Sequence, residues 1–352
     1  MNFNFFGKRI SGILSVLPEN EYTFEEEAAE PDNVKNRRLK NIIGYGKRRR
    51  VKKDTVMSDM FLYGLNHLLD TNKLKKSDIG AIIVVTLSPD YWLPQISSIL
   101  HGELKLSHDV FCMDIPSACA GFVVGLIQSF MLLEHMEDKK IILCTGEIFN
   151  RKTKENEEKF TQPSFGGDIA NITIVQNTDE KEQIVCNMFN DGENRDALLI
   201  HDGGFKNPMT PEKIKVQRAT IPHMMVDMDG SKVFNFAQKE VPPSVRDAVK
   251  CAGYSLERID YFLFHQPNKF MLQKLAEQLG VPYNKMPMEL TTQLGNSDAG
   301  TIPAVATTYV SEDLLQKNNL CCLSGFGGGL SWATIVMNIG PLDFCENIIS
   351  NL

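Results

Sequence analysis

Four short runs of consecutive apolar residues, at 81–85, 140–144, 261–264 and 320–323, constrain this chain more than any other feature. A strand that is apolar at successive positions, rather than at alternate ones, must bury both of its faces. That is the condition of a strand in a sheet covered by helices on either side. Helical patterns lie between these runs, at 58–69, 121–133, 244–252, 268–279 and 301–315. Strands alternating with helices predict an α/β fold.

The pattern occurs twice. Leu74-Lys75-Lys76-Ser77-Asp78 leads into a strand ending near Thr86, and Leu256-Glu257-Arg258-Ile259-Asp260 leads into a strand ending at His265. The two aspartates are 182 residues apart. Cys119 opens a helix in the first half and Asn296 precedes one in the second, 177 residues later. Two related halves are expected, 1–180 and 181–352, each giving a helix N-terminus and a strand end to a shared centre.

The 352 residues suffice to bury a large core. A formal net charge of −7 excludes bulk attraction to nucleic acid. No apolar run reaches the roughly 20 residues of a membrane span. Residues 1–12 lack the layout of a secretion signal. Eight cysteines without CxxC spacing point to free thiols, a reducing cytoplasm and no structural metal site.

Cys119 lies in Pro116-Ser117-Ala118-Cys119-Ala120-Gly121-Phe122, where a strand gives way to an apolar helix. A thiol at a helix N-terminus is expected to ionise more easily. Small neighbours leave the sulfur accessible. His265 begins His265-Gln266-Pro267-Asn268 at the exit of a buried strand, where it can point into a cleft, and taken alone it reads more readily as a core histidine. Asn296, in Leu294-Gly295-Asn296-Ser297-Asp298-Ala299-Gly300, reads alone as a turn or cap residue. Gly325-Phe326-Gly327-Gly328-Gly329 precedes another strand rather than a helix. It therefore predicts a hairpin with bare backbone, not a phosphate loop. Residues 35–53 are strongly basic, which suits an anionic partner and equally a solvated loop, whereas 151–159 reads as an exposed loop.

Taken together and in this order, SACAGF, HQPN, GNSDAG and GFGGGLSWA resemble the β-ketoacyl-acyl carrier protein synthase III family of the thiolase fold. Residues 10–19 resemble that family's opening strand, and 228–234 its mid-chain signature. The resemblance implies duplicated βαβαβ halves packed as a five-layered α-β-α-β-α sandwich. It implies that Cys119 accepts an acyl group from a thioester. His265 and Asn296 would then hold a malonyl thioester oxygen while CO₂ leaves, and the carbanion would attack the acyl group. The backbone N–H groups of Cys119 and Gly328 would form the oxyanion hole. Trp92, Leu93, Phe326, Gly327 and Asn268 would line the substrate site. Arg37, Arg38, Lys40, Arg48, Arg50, Lys269 and Lys274 would dock coenzyme A or acyl carrier protein. The partners implied are an acyl thioester, acyl carrier protein and a second copy of the chain, with no cofactor.

The chain departs from the family pattern in places. The basic segment lacks the tryptophan that stacks on coenzyme A adenine, and Tyr45 is the nearest aromatic. This points to acyl carrier protein as donor. GDGAGA is replaced by Gly167-Asp168-Ile169-Ala170-Asn171, expected to alter a loop near the site. Pro267 replaces an alanine. By analogy these mark a specialised paralogue for a secondary lipid or a surface polysaccharide. Two other functions fit the same scaffold: acyl transfer to a hydroxyl or amine without loss of CO₂, and a non-catalytic subunit of a condensing complex.

Overall fold

A computed structural model describes residues 1–27, 32, 34–38, 40–41, 44, 46–149, 166–208, 210–212 and 226–352. Two sheets form its frame. In the first, six strands lie in the order β15-β2-β8-β7-β5-β6. They are β2 (Lys8–Pro18), β5 (Ile79–Val85), β6 (Phe111–Ile115), β7 (Lys140–Glu147), β8 (Ile169–Asn177) and β15 (Phe344–Ser350). The second has the order β1-β9-β14-β13-β12. It comprises β1 (Asn2–Phe6), β9 (Gln183–Asn190), β12 (Tyr261–Phe264), β13 (Asn319–Gly327) and β14 (Ser331–Ile339). Two hairpin ribbons stand outside: β3 (Asn20–Thr23) with β4 (Lys47–Arg50), and β10 (Leu198–Ile200) with β11 (Val226–Met228).

The duplication is visible in strand direction. The run β5-β7-β8-β2 is joined parallel, antiparallel, antiparallel. So is β12-β13-β14-β9. The sheets are therefore mixed, and the antiparallel partners arise because β8 and β14 return directly beside β7 and β13. A division at 180/181 falls between β8 and β9, but the termini cross it. β1 pairs with β9 and β15 pairs with β2, so each half completes the other's sheet.

Apolar burial builds the layers. The main helices are α1 (Met57–Asp70), α2 (Ile96–Glu103), α3 (Gly121–Leu133), α4 (Gly230–Cys251), α5 (Lys269–Leu279) and α6 (Thr301–Tyr309). Phe122, Leu126 and Phe130 of α3 share one core with Ile302 and Val305 of α6 and with residues of both sheets, including Ile83, Leu143, Leu323 and Ile335. α3 and α6 thus form the central layer. α1 and α2 cover the outer face of the first sheet through Phe61, Leu65 and Leu100. α4 and α5 cover the second through Val241, Val245, Leu272 and Leu275. Helix, sheet, helix, sheet, helix is the five-layered thiolase arrangement. Its consecutive apolar strands are explained by helices on both sheet faces.

Two helix boundaries differ from the sequence reading. α4 begins at Gly230, well before 244, and contains Pro242 and Pro243. Asp229 caps it by accepting from the N–H groups of Ser231 and Lys232. The helix expected over 301–315 is two, Thr301–Tyr309 and Ser311–Gln316, broken at Val310.

Candidate active site

β6 ends at Ile115, and α3 starts at Gly121 with Ala120 as its N-cap. Cys119 therefore sits just before the helix, at the face where α3 meets the second sheet. Gly325 and Gly327 of β13 let that junction close. A Cβ on Gly327 would lie 2.6 Å from the Cys119 Cβ and 2.8 Å from its Sγ, and one on Gly325 would lie 2.8 Å from the Ala120 Cα. No side chain fits at either position, so the thiol is packed against bare backbone. The hairpin read from the glycines is present, with β13 and β14 paired through Gly327 and Ser331.

A hydrogen-bonded path links the thiol to the second half. Cys119 Sγ donates to Asp298 Oδ1 at 3.2 Å. The Asp298 N–H donates to Asn296 Oδ1 at 2.9 Å. Thr301 Oγ1 lies 2.9 Å from the Asp298 carbonyl oxygen and 2.9 Å from His265 Nδ1. His265 follows β12 and donates its backbone N–H to the Ser324 carbonyl, which ties it to β13. Its ring meets Phe326 edge to face at 5.6 Å. Sulfur, imidazole and carboxamide therefore converge from three separate chain segments.

The path also fixes which ends face a ligand. Asn296 spends its oxygen on the Asp298 N–H, so its Nδ2 is the end left to donate. His265 turns Nδ1 toward Thr301 and leaves Nε2. A hydroxyl has one proton, which Thr301 shares between the Asp298 carbonyl and Nδ1; when it turns to Nδ1, the imidazole carries its own proton on Nε2 and becomes a donor there. His265 is 1% exposed, and burial lowers its pKa to about 3, so the ring is neutral at physiological pH.

The loop that holds Asn296 is fastened to the first sheet. The Gly167 N–H donates to the Asn296 carbonyl. Asn171 Nδ2 donates to the carbonyls of Thr145 and Gly300, and its Oδ1 accepts from Ser15. The segment departing from GDGAGA thus runs from Gly167 and Asp168 into the start of strand β8, and Asn171 uses its amide to anchor the turn after Asn296.

Three expectations need correction. The helix N-terminus does not make Cys119 easy to ionise. A helix dipole offers roughly 0.3–1 kcal/mol. Here burial first, and the adjacent Asp298 carboxylate second, push the thiol well above its usual pKa. Arg48 and Arg50 are not docking residues at the surface. They are 1% and 3% exposed, and both pair with Glu27, at 2.7 and 3.1 Å. Their role is to seat the β3–β4 ribbon, because a buried guanidinium needs a carboxylate. The basic stretch is therefore not one continuous patch.

The remaining residues occupy varied positions. Arg37, Arg38 and Lys40 are exposed, with Lys40 paired to Glu25. Lys269 pairs with Glu289, and Lys274 with Glu277. Asn268 is the N-cap of α5, its side chain accepting from the Met271 N–H. Trp92 and Leu93 project from the loop before α2, each 85% exposed. Gly328 lies in the turn after β13. Tyr45 and the loop at 151–159 lie outside the described residues. Asp298, Thr301 and Glu147 were not singled out from the sequence. The available signal was an acidic residue within an otherwise small, uncharged stretch, Ser297-Asp298-Ala299-Gly300.

The chain is similar in sequence and fold to known proteins. Residues 249–339 match the family model described as 3-oxoacyl-[acyl-carrier-protein] synthase III C terminal. A β-ketoacyl-[acyl-carrier-protein] synthase III of Limosilactobacillus reuteri is 32% identical over 289 residues, covering 80% of this chain and 84% of the relative. A putative 3-oxoacyl-[acyl-carrier-protein] synthase 3 of Campylobacter jejuni is 28% identical over 99% of this chain and 98% of its own length. The crystal structure of a 3-oxoacyl-(acyl-carrier protein) synthase from Burkholderia xenovorans superposes with a TM-score of 0.88 at 26% identity, covering 99% of both chains. With these relatives, and with a thiol, a neutral imidazole and a carboxamide brought together on this duplicated frame, the chain belongs to the β-ketoacyl-acyl carrier protein synthase III family.

Proposed function

We propose that this enzyme elongates an acyl group held on Cys119 by decarboxylative condensation with malonyl-acyl carrier protein. The observation that carries the reading is the hydrogen-bonded path from Cys119 through Asp298 and Asn296 to Thr301 and His265. It supports a nucleophile and two neutral donors facing one site. Cys119 attacks the donor thioester and the carrier thiol leaves. Malonyl-acyl carrier protein then enters with its thioester oxygen between His265 Nε2 and Asn296 Nδ2. Loss of CO₂ gives an enolate, whose oxygen charge these donors stabilise. One such donor is typically worth about 3 kcal/mol of barrier. The carbanion attacks the acyl carbon, the backbone N–H groups of Cys119 and Gly328 receive the oxyanion, and Cys119 is expelled.

A carboxamide paired with a neutral imidazole suits enolate stabilisation. Acyl transfer to an alcohol or amine would instead call for a base beside the acceptor. Each proposed step is addition, elimination or decarboxylation, so the reading assigns no cofactor. Arg37, Arg38, Lys40, Lys269 and Lys274 are the exposed cations proposed to meet an acidic carrier. Trp92 and Leu93 are proposed to meet a second copy of the chain and bound its acyl pocket.

Intact-protein mass spectrometry tests the reading. Incubation with acyl-coenzyme A or acyl-acyl carrier protein of graded length is expected to add one acyl mass, absent in Cys119→Ala. Added malonyl-acyl carrier protein is expected to discharge it as a 3-oxoacyl product. Capture without discharge would favour the non-condensing alternative.

A further inference from the structure

Cys119 poses a difficulty that the reaction must solve. Its thiol is packed under Gly327, desolvated and protonated, yet attack on a thioester requires the sulfur to lose that proton. His265 does not supply the base. Its Nδ1 is engaged by Thr301, and burial makes the ring a weak proton acceptor.

A carboxylate does lie at the right place. Asp298 Oδ1 is 3.2 Å from Sγ, and the thiol donates to it. Asp298 is among the few non-glycine residues with a left-handed backbone, at φ 46°. That conformation is maintained on both sides: its N–H donates to Asn296 Oδ1, and its carbonyl accepts from Thr301 Oγ1. The same two residues that present the condensation donors thus turn the aspartate toward the sulfur. Backbone strain that neighbouring contacts maintain is characteristic of functional positions.

On the reading that Cys119 captures an acyl group, we propose that Asp298 is the general base for that capture. As Sγ bonds to the thioester carbon, the S–H proton passes to Asp298 Oδ1. The tetrahedral oxyanion then collapses, the carbon–sulfur bond to the carrier breaks, and the departing thiolate takes the proton from Asp298. No proton is gained or lost overall, and the carboxylate is restored. When the later condensation expels Cys119 as a thiolate, a proton from solvent re-forms the thiol.

The titratable groups bearing on Asp298 are Cys119 before α3, Glu147 at the end of β7 and His265 after β12. Glu147 is 1% exposed and accepts from Thr86, the Leu87 N–H and Ser88. Burial first, and the Asp298 charge second, raise its pKa. Burial raises Asp298 as well. Two carboxyls in one desolvated region titrate as a unit, and a raised pKa makes a carboxylate a better proton acceptor near neutral pH.

The test is single-turnover capture by the full-length chain against pH, with acetyl- and octanoyl-coenzyme A as donors. Iodoacetamide alkylation of the Cys119 peptide is followed in parallel and needs no acyl donor. Wild-type rates are expected to level off at neutral pH, above the titration of a raised carboxylate. Asp298→Asn keeps the shape and tolerates the left-handed backbone. It is expected to react about 100-fold more slowly at neutral pH and to accelerate about tenfold per pH unit as free thiolate forms. The sign discriminates: were Asp298 only a charge opposing the thiolate, removing it would speed the reaction. An Asp298→Asn rate equal to or above wild type overturns the proposal. So does a wild-type rate that climbs with pH without levelling, a result that depends on no variant. If neither donor acylates the wild type, the condensing reading fails for those donors, and the alkylation rates still decide the role of Asp298.

Discussion

On the proposed reading, His265 and Asn296 act as donors toward the malonyl unit, whereas Cys119 alone forms the acyl bond. His265→Ala is therefore expected to capture acyl groups at near wild-type rates, and Asn296→Ala, which also releases the Asp298 N–H, to capture them more slowly, while both slow condensation roughly 10²–10³-fold; mass spectrometry of the acyl-enzyme before and after malonyl-acyl carrier protein separates the steps. Burial of the imidazole also predicts a stability effect. Its folded pKa, about 3, lies below the ordinary 6.5, so the unfolded chain binds the proton first. Stability from the neutral ring is fully present above pH 6.5 and is lost as pH falls toward 3, by up to about 1.4 kcal/mol per unit. Glu147 and Asp298 have raised pKa values and oppose this loss, since protonating them in the fold is favourable. Denaturation midpoints of wild type and His265→Gln between pH 7 and 4 isolate the histidine, and parallel curves would show that it is not buried neutral. Cys119, His265 and Asn296 were legible because each belongs to a local motif. Asp298 was not, because its meaning depends on a sulfur 179 residues away. Asn171 was hidden similarly, as its partners Ser15 and Gly300 come from distant elements.

At the scale of elements, legibility followed composition. β5, β7, β12 and β13 are nearly all apolar and buried, so their runs announce them. β8 and β9 place Asn171, Thr173 and Asn187 in the interior, the two asparagines hydrogen-bonded to distant elements, and no run marks them. α4 was read short because Pro242 and Pro243 signal a break that its packing on the second sheet overrides. Two substitutions test how elements support the site. Gly327→Ala would drive a methyl into Cys119 at 2.6–2.8 Å, with strand β13 fixed between two neighbours. Acyl capture is expected to fall at least 10²-fold, with a stability loss of about 1–3 kcal/mol, read by mass spectrometry and denaturant titration. Glu27→Gln would leave Arg48 and Arg50 buried beside a neutral partner. A loss of about 3–5 kcal/mol is expected for such an uncompensated pair, and a cost below 1 kcal/mol would show that other acids, Asp168 among them, suffice.

At the scale of the whole molecule, the first sheet ends at β6, whose outer edge has no strand partner among the described residues. Phe111 at the start of that strand is 45% exposed, and the nearby loop presents Tyr91, Trp92 and Leu93 at 63%, 85% and 85%. A strand edge flanked by large exposed apolar side chains is unfavourable for an isolated molecule, and pairing with a second copy removes it. A two-fold dimer joined along β6 would extend the six-stranded sheet across the interface and carry each Trp92–Leu93 loop onto the other copy. Light scattering is expected to give twice the chain mass. Trp92→Ser with Leu93→Ser is expected to shift the equilibrium toward monomer and also to change which acyl lengths Cys119 accepts, because the same loop would serve both purposes. A monomeric wild type would remove the proposed interface. A dimer whose chain-length preference ignores the double substitution would keep the interface but place the acyl-pocket wall elsewhere.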